Sequence, residues 1–547
     1  MVTTGEWARS ADVIVVGSGI AGLAAAAAAA SRGASVLVLE KSREIGGTSA
    51  YSSGEYWVPN NRFLRAEGIV DPRDDCLRYM ARLSYPGFYD PGSPTLGLGR
   101  NEYELLEAYY DRGSEAVDHL DEIGAVASRF SPDFDQIMGK PEYNAHLPEN
   151  KVTFGRHLLS LGGTHTSGQG AFLIGGLRDY LAKTDTAILH SHRVEHLLRN
   201  AAGEVIGVEA STGGERKRFR ARKGVIFGSG GFAHNKKLCD NFIHGRLYSS
   251  TAVETNEGDL VRIALEVGAS LGNMGNAWFG QIPIEEAIGQ GRMDYMMYFP
   301  WGDSMLMVNR YGERVVNEKA PYHDRAFAHF YFDPTTKQYT NQVLFMIYDS
   351  VVAETPEQEG WHKVRRPIPP VGQFPDYQIV AETWEELAAE IDKRLEKLSG
   401  YTGGLRLDPE FRQTLEETVA RFNRYADAGF DPEFRRGETP HELNYSPPIR
   451  EGLKNQTLAP FASEGPYCAI VLGAACFDTA GGPRINAEAQ IIDLEDRPIP
   501  GLYGAGNCVA SPAGQAYWSG GTTIGSGLIF GYIAGTNAVK EREKASA

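Results

Sequence analysis

Residues 12–16 (DVIVV) form an unbroken apolar run of strand length, rich in β-branched side chains. The run breaks on Gly17-Ser18-Gly19-Ile20-Ala21-Gly22, and an alanine-rich stretch over 20–30 follows, closed by Gly33. That stretch is too short to span a bilayer and predicts a buried helix. Residues 34–39 (ASVLVL) predict a second strand, which ends on Glu40. Much later the alternation returns. Residues 224–231 (GVIFGSGG) read as a strand closing on a glycine turn, and an apolar strand-like stretch leads into 501–507 (GLYGAGN). Residues 520–527 (GGTTIGSG) open an apolar helix running to about Val539. Short apolar strands alternating with helices predict an α/β fold. No internal repeat of about 20 to 50 residues is visible.

The first strand, glycine turn, helix and second strand carry a specific chemistry. Gly17 permits the tight turn, Gly19 lets a pyrophosphate approach the backbone, and Gly22 lets helix and strand pack closely. The helix N-terminus, at Ile20 and Ala21, offers free N–H groups and a positive dipole end to phosphate. Glu40 stands where a carboxylate accepts a ribose hydroxyl. All of this falls inside about 30 residues, which makes a dinucleotide site far more specific than an isolated glycine motif. The predicted cofactor is FAD. Past Glu40 come Lys41 and a second glycine pair with hydroxyls, Gly46-Gly47-Thr48-Ser49, which can fold back over the pyrophosphate. Further glycine turns at Gly230, with Asn235 after it, and at Gly506-Asn507 would converge on one long cofactor. The helix entered through Thr523 and Ile524 would aim its positive end at a flavin and stabilise charge on the reduced ring. No second GxGxxG stands in the same setting, so a further Rossmann site for NAD(P)H is not expected.

Composition adds limits rather than chemistry. The 547 residues suffice for two or three domains, and 42% hydrophobic with 23% charged residues is ordinary for a globular protein. A net charge of −16 repels polyanions, so no nucleic-acid partner is expected. The N-terminal stretch lacks a basic start and a secretory apolar run, and no integral membrane segment is predicted. Cys76, Cys239, Cys468, Cys476 and Cys508 are scattered without CxxC spacing, and a reducing cytoplasmic location is the expectation. No metal site is expected: His190, His192 and His196 lack a convergent carboxylate or cysteine set and read as solvated.

Five segments together resemble the FAD-dependent fumarate reductase / 3-ketosteroid dehydrogenase group over almost the whole chain. They are GSGIAG, EKSREIGGTSAYSSG, GVIFGSGGF, VNRYGERVVNEKAPY and GLYGAGNCVASPAGQAYWSGGTTIGSGLIFGYIAG. The resemblance implies a Rossmann-type FAD-binding domain interrupted by a smaller α+β substrate (capping) domain. Its FAD-binding parts would be 1–279 and 459–547, and the cap 280–458. A stretch near 85–165, rich in aromatic residues, Gly and Pro, looks like an insertion in the first half. The resemblance also implies backbone contacts from Val194 on the adenine side. The FAD would be non-covalent, because no histidine stands near Thr48-Ser49, where tethering members carry one.

Within that group a few positions separate the chemistries. Fumarate reductases place a proton-donating arginine after an Asn-Glu motif, where this chain has Asn317-Glu318-Lys319-Ala320-Pro321-Tyr322. They clamp the dicarboxylate with an arginine before the last glycine pair, where this chain has 515–521 (QAYWSGG) and no cation. Two carboxylates need guanidinium forks, so fumarate is disfavoured. Tyr322 and Tyr517 instead match the ketosteroid Δ1-dehydrogenase pattern. By that resemblance Tyr517 O–H and Gly521 N–H would hold the carbonyl oxygen of a cyclic ketone as its enolate develops. Tyr322 would take the α-proton, and the β-hydride would go to flavin N5. A tyrosine ordinarily titrates at about 10, so such a base needs local activation. An external acceptor such as a quinone would reoxidise the flavin. The steroid enzymes have one further active-site tyrosine; its best-matching position here is Asp135, with Tyr143 as the alternative. This departure leaves the substrate open between a 3-ketosteroid and a smaller cyclohexanone-type ketone. An ene-reductase of the fumarate or urocanate type and a non-catalytic flavin-binding protein are the competing functions.

Overall fold

The computed structural model describes residues 6–131, 141–161, 169–354, 368–373, 376–446 and 449–545. The chain divides into two compact units: 1–243 with 252–278 and 478–547, and 244–251 with 279–477.

In the first unit, β1 (Arg9–Val16) lies inside an eight-stranded sheet. It runs parallel to β2 (Val36–Leu39) on one side and to Glu215–Phe227 on the other. Thr186–Leu189 and Pro498–Gly504 extend the sheet in parallel beyond those two neighbours. Residues 13–16 of β1 and all of β2 are buried, which is why both read as continuous apolar runs. The alanine-rich stretch is helix α1 (Ile20–Ala30). The terminal helix, Thr522–Ala538, lies directly against it. A Cβ at Gly531 would stand 2.4 Å from Ala21 O, and one at Gly535 would stand 2.2 Å from Ala25 O. The glycines at four-residue spacing on one helix and the alanines on the other therefore let two backbones nearly touch. The stretch near 85–165 contributes the helix Arg100–Glu122 and two strands, Ser128–Phe130 and His157–Ser160; the second lies between the first and Tyr56–Trp57 and pairs with both. Among the described residues no helix is long and apolar enough to cross a membrane.

In the second unit, Leu344–Asp349 runs antiparallel between Met305–Val308 and Tyr467–Thr479. Alternation divides the side chains between two cores. Leu306, Val308, Phe345 and Ile347 pack with Leu387 and Ile391 of the helix Trp384–Lys397 and with Leu415 and Phe422 of the helix Phe411–Ala428. Met305, Met307, Leu344 and Met346 form the other core with Cys468 and Ile470.

Residues 459–477 lie in this second unit, whereas the sequence pattern grouped them with the final FAD-binding part. The run from Tyr467 is apolar enough for a Rossmann strand, but its ladder partners are Leu344–Asp349 and Gln378–Ala381. Residues 244–251 join the same unit because Ser249 and Ser250 pair in parallel with Ala475 and Cys476. Hydrophobic pattern identifies a buried strand without saying which sheet receives it.

Candidate functional site

The first glycine turn is built where β1 meets α1. Gly17 takes φ +99°, and Gly19 is the N-cap of α1. Ser18 donates to Glu40 Oε2 through both its N–H (2.9 Å) and its hydroxyl (2.6 Å), and Ser42 N–H donates to Oε1 at 2.8 Å. A carboxylate has about four acceptor positions, so one on Oε1 remains open to a further donor. The second glycine pair folds back onto this turn: Gly46 N–H donates to Ser18 Oγ (3.0 Å), and Ile20 N–H donates to Ser49 Oγ (3.1 Å).

The glycines separate into two kinds. A Cβ at Gly22 would lie 2.0 Å from Gly17 O, and one at Gly228 would lie 2.5 Å from Gly22 N, so the protein's own packing requires both. At Gly19 a Cβ would meet nothing nearer than Ser49 Oγ at 3.6 Å. Its missing side chain keeps the helix mouth clear for something other than protein, which fits a pyrophosphate.

A buried carboxylate ties the later glycine turns together. Asp478 Oδ2 accepts Gly231 N–H at 2.8 Å, Asn256 Nδ2 at 2.7 Å and Asn507 Nδ2 at 3.2 Å. Burial raises the Asp478 carboxyl above its ordinary range, and these donors oppose that rise. Asn256 also reaches Thr48 Oγ1 at 3.3 Å, and Trp278 Nε1–H donates to Asn507 Oδ1 at 3.0 Å. Gly47, Gly230 (φ +74°) and Gly506 (φ +75°) adopt left-handed conformations at these turns. Three other candidates have structural partners. Asn235 caps a short helix through Leu238 N–H and donates to Glu257 O, Lys41 pairs with Asp259 at 2.9 Å, and Val194 is buried in the strand Arg193–Arg199. Thr523 and Ile524 lie in the first turn of the terminal helix.

The entry to that helix is held residue by residue. Tyr79 O–H donates to Trp518 O at 2.5 Å, Trp518 Nε1–H to Ser84 Oγ at 2.8 Å, and Trp57 N–H to Gly521 O at 3.2 Å. Gly521 is the N-cap with φ +86°, and its N–H donates to the Tyr517 hydroxyl oxygen at 3.3 Å. The two donors proposed for a substrate carbonyl thus stand side by side at a helix N-terminus. Tyr143 is buried with its ring 6.1 Å from that of Tyr517, while Asp135 lies outside the described residues.

Tyr322 belongs to the second unit, where it begins the short helix Tyr322–Ala326. Its ring is buried, edge-on to Tyr298 and Phe477 at 5.4 Å each and to Phe299 at 6.0 Å. Arg325 fixes this helix by donating to Gln281 Oε1 (2.6 Å), Met297 O (2.7 Å) and Ala320 O (2.9 Å). Glu318, earlier in the same motif, is taken up by structure. It accepts two bonds from Arg314 at 2.8 Å, one from Arg436 at 3.0 Å and Met307 N–H at 3.1 Å. Burial would raise its carboxyl, but Arg314 and then Arg436 overcome that and hold it at about 2. Among the described residues no cluster of His, Cys, Asp or Glu is placed to hold a metal ion.

Residues 12–524 match the family model described as an FAD binding domain. The chain belongs to this FAD-binding family. Within it, the chain falls in the fumarate reductase / 3-ketosteroid dehydrogenase-like group and is an FAD-dependent oxidoreductase with the cofactor held non-covalently. It is 29% identical to a 4-oxocyclohexanecarboxylate 2-dehydrogenase of Sinomonas cyclohexanicum, covering 96% of this chain and 92% of that one. It is 27% identical to a 3-oxosteroid 1-dehydrogenase of Mycolicibacterium smegmatis, covering 96% of each. A solved 3-ketosteroid delta1-dehydrogenase from Sterolibacterium denitrificans, in complex with 1,4-androstadiene-3,17-dione, superposes with a TM-score of 0.79 at 25% identity, covering 97% of this chain and 99% of that one.

Sequence reasoning missed Asp478 and Asn256. Asp478 and Asn256 are 222 positions apart, and no spacing rule joins them. Only the short Asp478-Thr479 step after an apolar strand hinted that a polar group enters the core there.

Proposed function

We propose that this flavoprotein introduces a C=C bond α,β to the carbonyl of a ring ketone, either a 3-ketosteroid or a smaller cyclohexanone-type compound. The observation that carries this reading is the Tyr517 hydroxyl beside the Gly521 N–H at the N-terminus of the terminal helix, in a stretch without a cation. Two neutral donors and a helix dipole suit a single carbonyl oxygen that becomes an enolate; they do not suit a dicarboxylate. Relatives named for 4-oxocyclohexanecarboxylate and for 3-oxosteroids share this ketone chemistry.

In this mechanism Gly17, Gly19, Gly22, Glu40 and the Gly46–Ser49 turn hold the dinucleotide end of the cofactor. Tyr517 and Gly521 orient the ketone through its oxygen and stabilise the negative charge that grows there. Tyr322 removes the α-proton, and its buried aromatic surroundings keep bulk water from that carbon. FAD, when bound, supplies a two-electron sink for the β-hydride, and a quinone-type acceptor restores it.

The test is anaerobic mixing of the oxidised enzyme with 4-oxocyclohexanecarboxylate and, separately, with 4-androstene-3,17-dione. One of these ketones is expected to bleach the flavin. Tyr322→Phe is expected to slow bleaching by about 10²–10⁴ with little change in affinity. Tyr517→Phe removes one donor and is expected to cost about 10²–10³. An enzyme that ignores both ketones but whose reduced flavin is reoxidised by fumarate or urocanate is an ene-reductase, and the proposal is then wrong.

A further inference from the structure

A buried polar cluster lies behind the turn that carries Tyr517 and Gly521, and the proposed reaction makes no use of it. Glu142 Oε2 accepts Trp57 Nε1–H at 2.7 Å and stands 3.8 Å from His157 Nε2. That nitrogen meets Ser519 Oγ at 2.8 Å. Ser519 Oγ also accepts Tyr143 N–H at 3.2 Å, and Ser519 lies near enough to the Glu142 carboxyl to favour its charged form. All three side chains are buried, Glu142 and Ser519 completely. Ser519 is two residues from Tyr517 and two from Gly521, so a change in its hydrogen bonding reaches both donors.

Stability alone gives a poor account of this cluster. Hydrophobic residues of similar volume are often as stable as a buried polar group, or more so. Glu142 has no guanidinium committed to it either: the nearby Arg156 is held in a fork by Asp71, with both bonds at 2.8 Å, and also donates to Asn150. A carboxyl 3.8 Å from an imidazole nitrogen that itself meets a hydroxyl can exist in more than one protonation state, and each state alters what that nitrogen offers the hydroxyl.

We propose that Glu142, acting through His157 and Ser519, is a protonation-dependent positioning residue for Tyr517 and Gly521, and that the pair polarises a ketone best while Glu142 keeps its proton. The inference rests on the dehydrogenase reading above. Its physical basis is charge: an ionised Glu142 puts a second negative charge behind the turn where an enolate forms, at low dielectric. The other ionisable groups around Glu142 do not mask this change. Asp71 and Arg156 form a closed pair, and burial pushes the Cys76 thiol and the Tyr109 hydroxyl up, so both stay neutral. Burial also raises Glu142 itself, only partly opposed by Arg156, Trp57 and Ser519, to about 7. The transition therefore falls near neutral pH.

The experiment measures the rate of flavin bleaching in FAD-loaded enzyme against pH, with whichever of the two ketones wild type uses. Wild type is expected to lose on the order of tenfold as pH rises through neutrality. Glu142→Gln keeps a neutral acceptor for Trp57 Nε1–H and is expected to lose that falling limb at unchanged KM. Ser519→Ala cuts the link, lowers the rate and flattens the limb; adding Glu142→Gln to it is expected to change nothing more. Infrared difference spectra should show a protonated-carboxyl band that titrates near neutrality in wild type and is missing in Glu142→Gln. A falling limb that survives in both variants, or effects that simply add, overturns the inference while leaving the dehydrogenase intact. A wild type that bleaches with neither ketone overturns the dehydrogenase reading and takes this inference with it.

Discussion

Glu318→Gln offers the sharpest test of how the second unit is held. Glu318 is wholly buried between Arg314 and Arg436, and Arg314 also meets Asp431 at 2.8 Å. Holding the carboxyl at about 2 against an ordinary 4.5 corresponds to about 3 kcal/mol of stability at neutral pH. Removing the charge leaves two buried guanidiniums to share Asp431, and breaking such a buried pair costs about 3–5 kcal/mol. Because the folded carboxyl is depressed, its contribution is full above about 4.5 and fades as pH falls towards 2. Urea unfolding of the FAD-loaded enzyme, followed through tryptophan fluorescence, should show the variant about 3 kcal/mol weaker at pH 7. By about pH 3 more than half of the electrostatic difference should be gone. A variant within about 1 kcal/mol of wild type at pH 7 refutes the structural assignment of Glu318. So does a gap that is the same at both pH values.

Two further outcomes concern the cofactor. Gly19→Val is expected to fold but to emerge without flavin, because a Cβ there meets no protein atom nearer than Ser49 Oγ at 3.6 Å and the branched side chain occupies the pyrophosphate's place; a normal flavin-to-protein absorbance ratio would contradict this. Acid denaturation should release FAD into the supernatant, as chromatography can show; FMN there, or colour retained by the precipitate, would count against the dinucleotide site or the non-covalent assignment.

The parts legible in the sequence were those whose physics is local. A strand, a turn with φ +99° at Gly17, a close-packed helix and an acid at the next strand's end sit within one short segment, and each leaves a local mark. The terminal helix was legible for the same reason, to within two residues at its start. What stayed hidden is long-range pairing. Nothing in the run from Tyr467 says that it ladders with Leu344–Asp349, and nothing near Ser519 says that His157 and Glu142 stand behind it. Glu318 was recognisable as part of a motif, but its partner Arg436 lies 118 positions away, so its structural use could not be seen.

The backbone contact between α1 and the terminal helix has a consequence for how the protein is made. Gly527, Gly531 and Gly535, which seat against α1, are synthesised roughly 500 residues after it. At about 5–20 residues per second, tens of seconds separate the two. For that interval α1 has no terminal helix to lie against, and its ten buried residues, seven of them alanine, depend on other shelter. Gly506, whose Cβ would stand 2.9 Å from Ala21 Cβ, arrives almost as late. Removing the helix Thr522–Ala538 should therefore strike α1, a part of the fold made tens of seconds earlier.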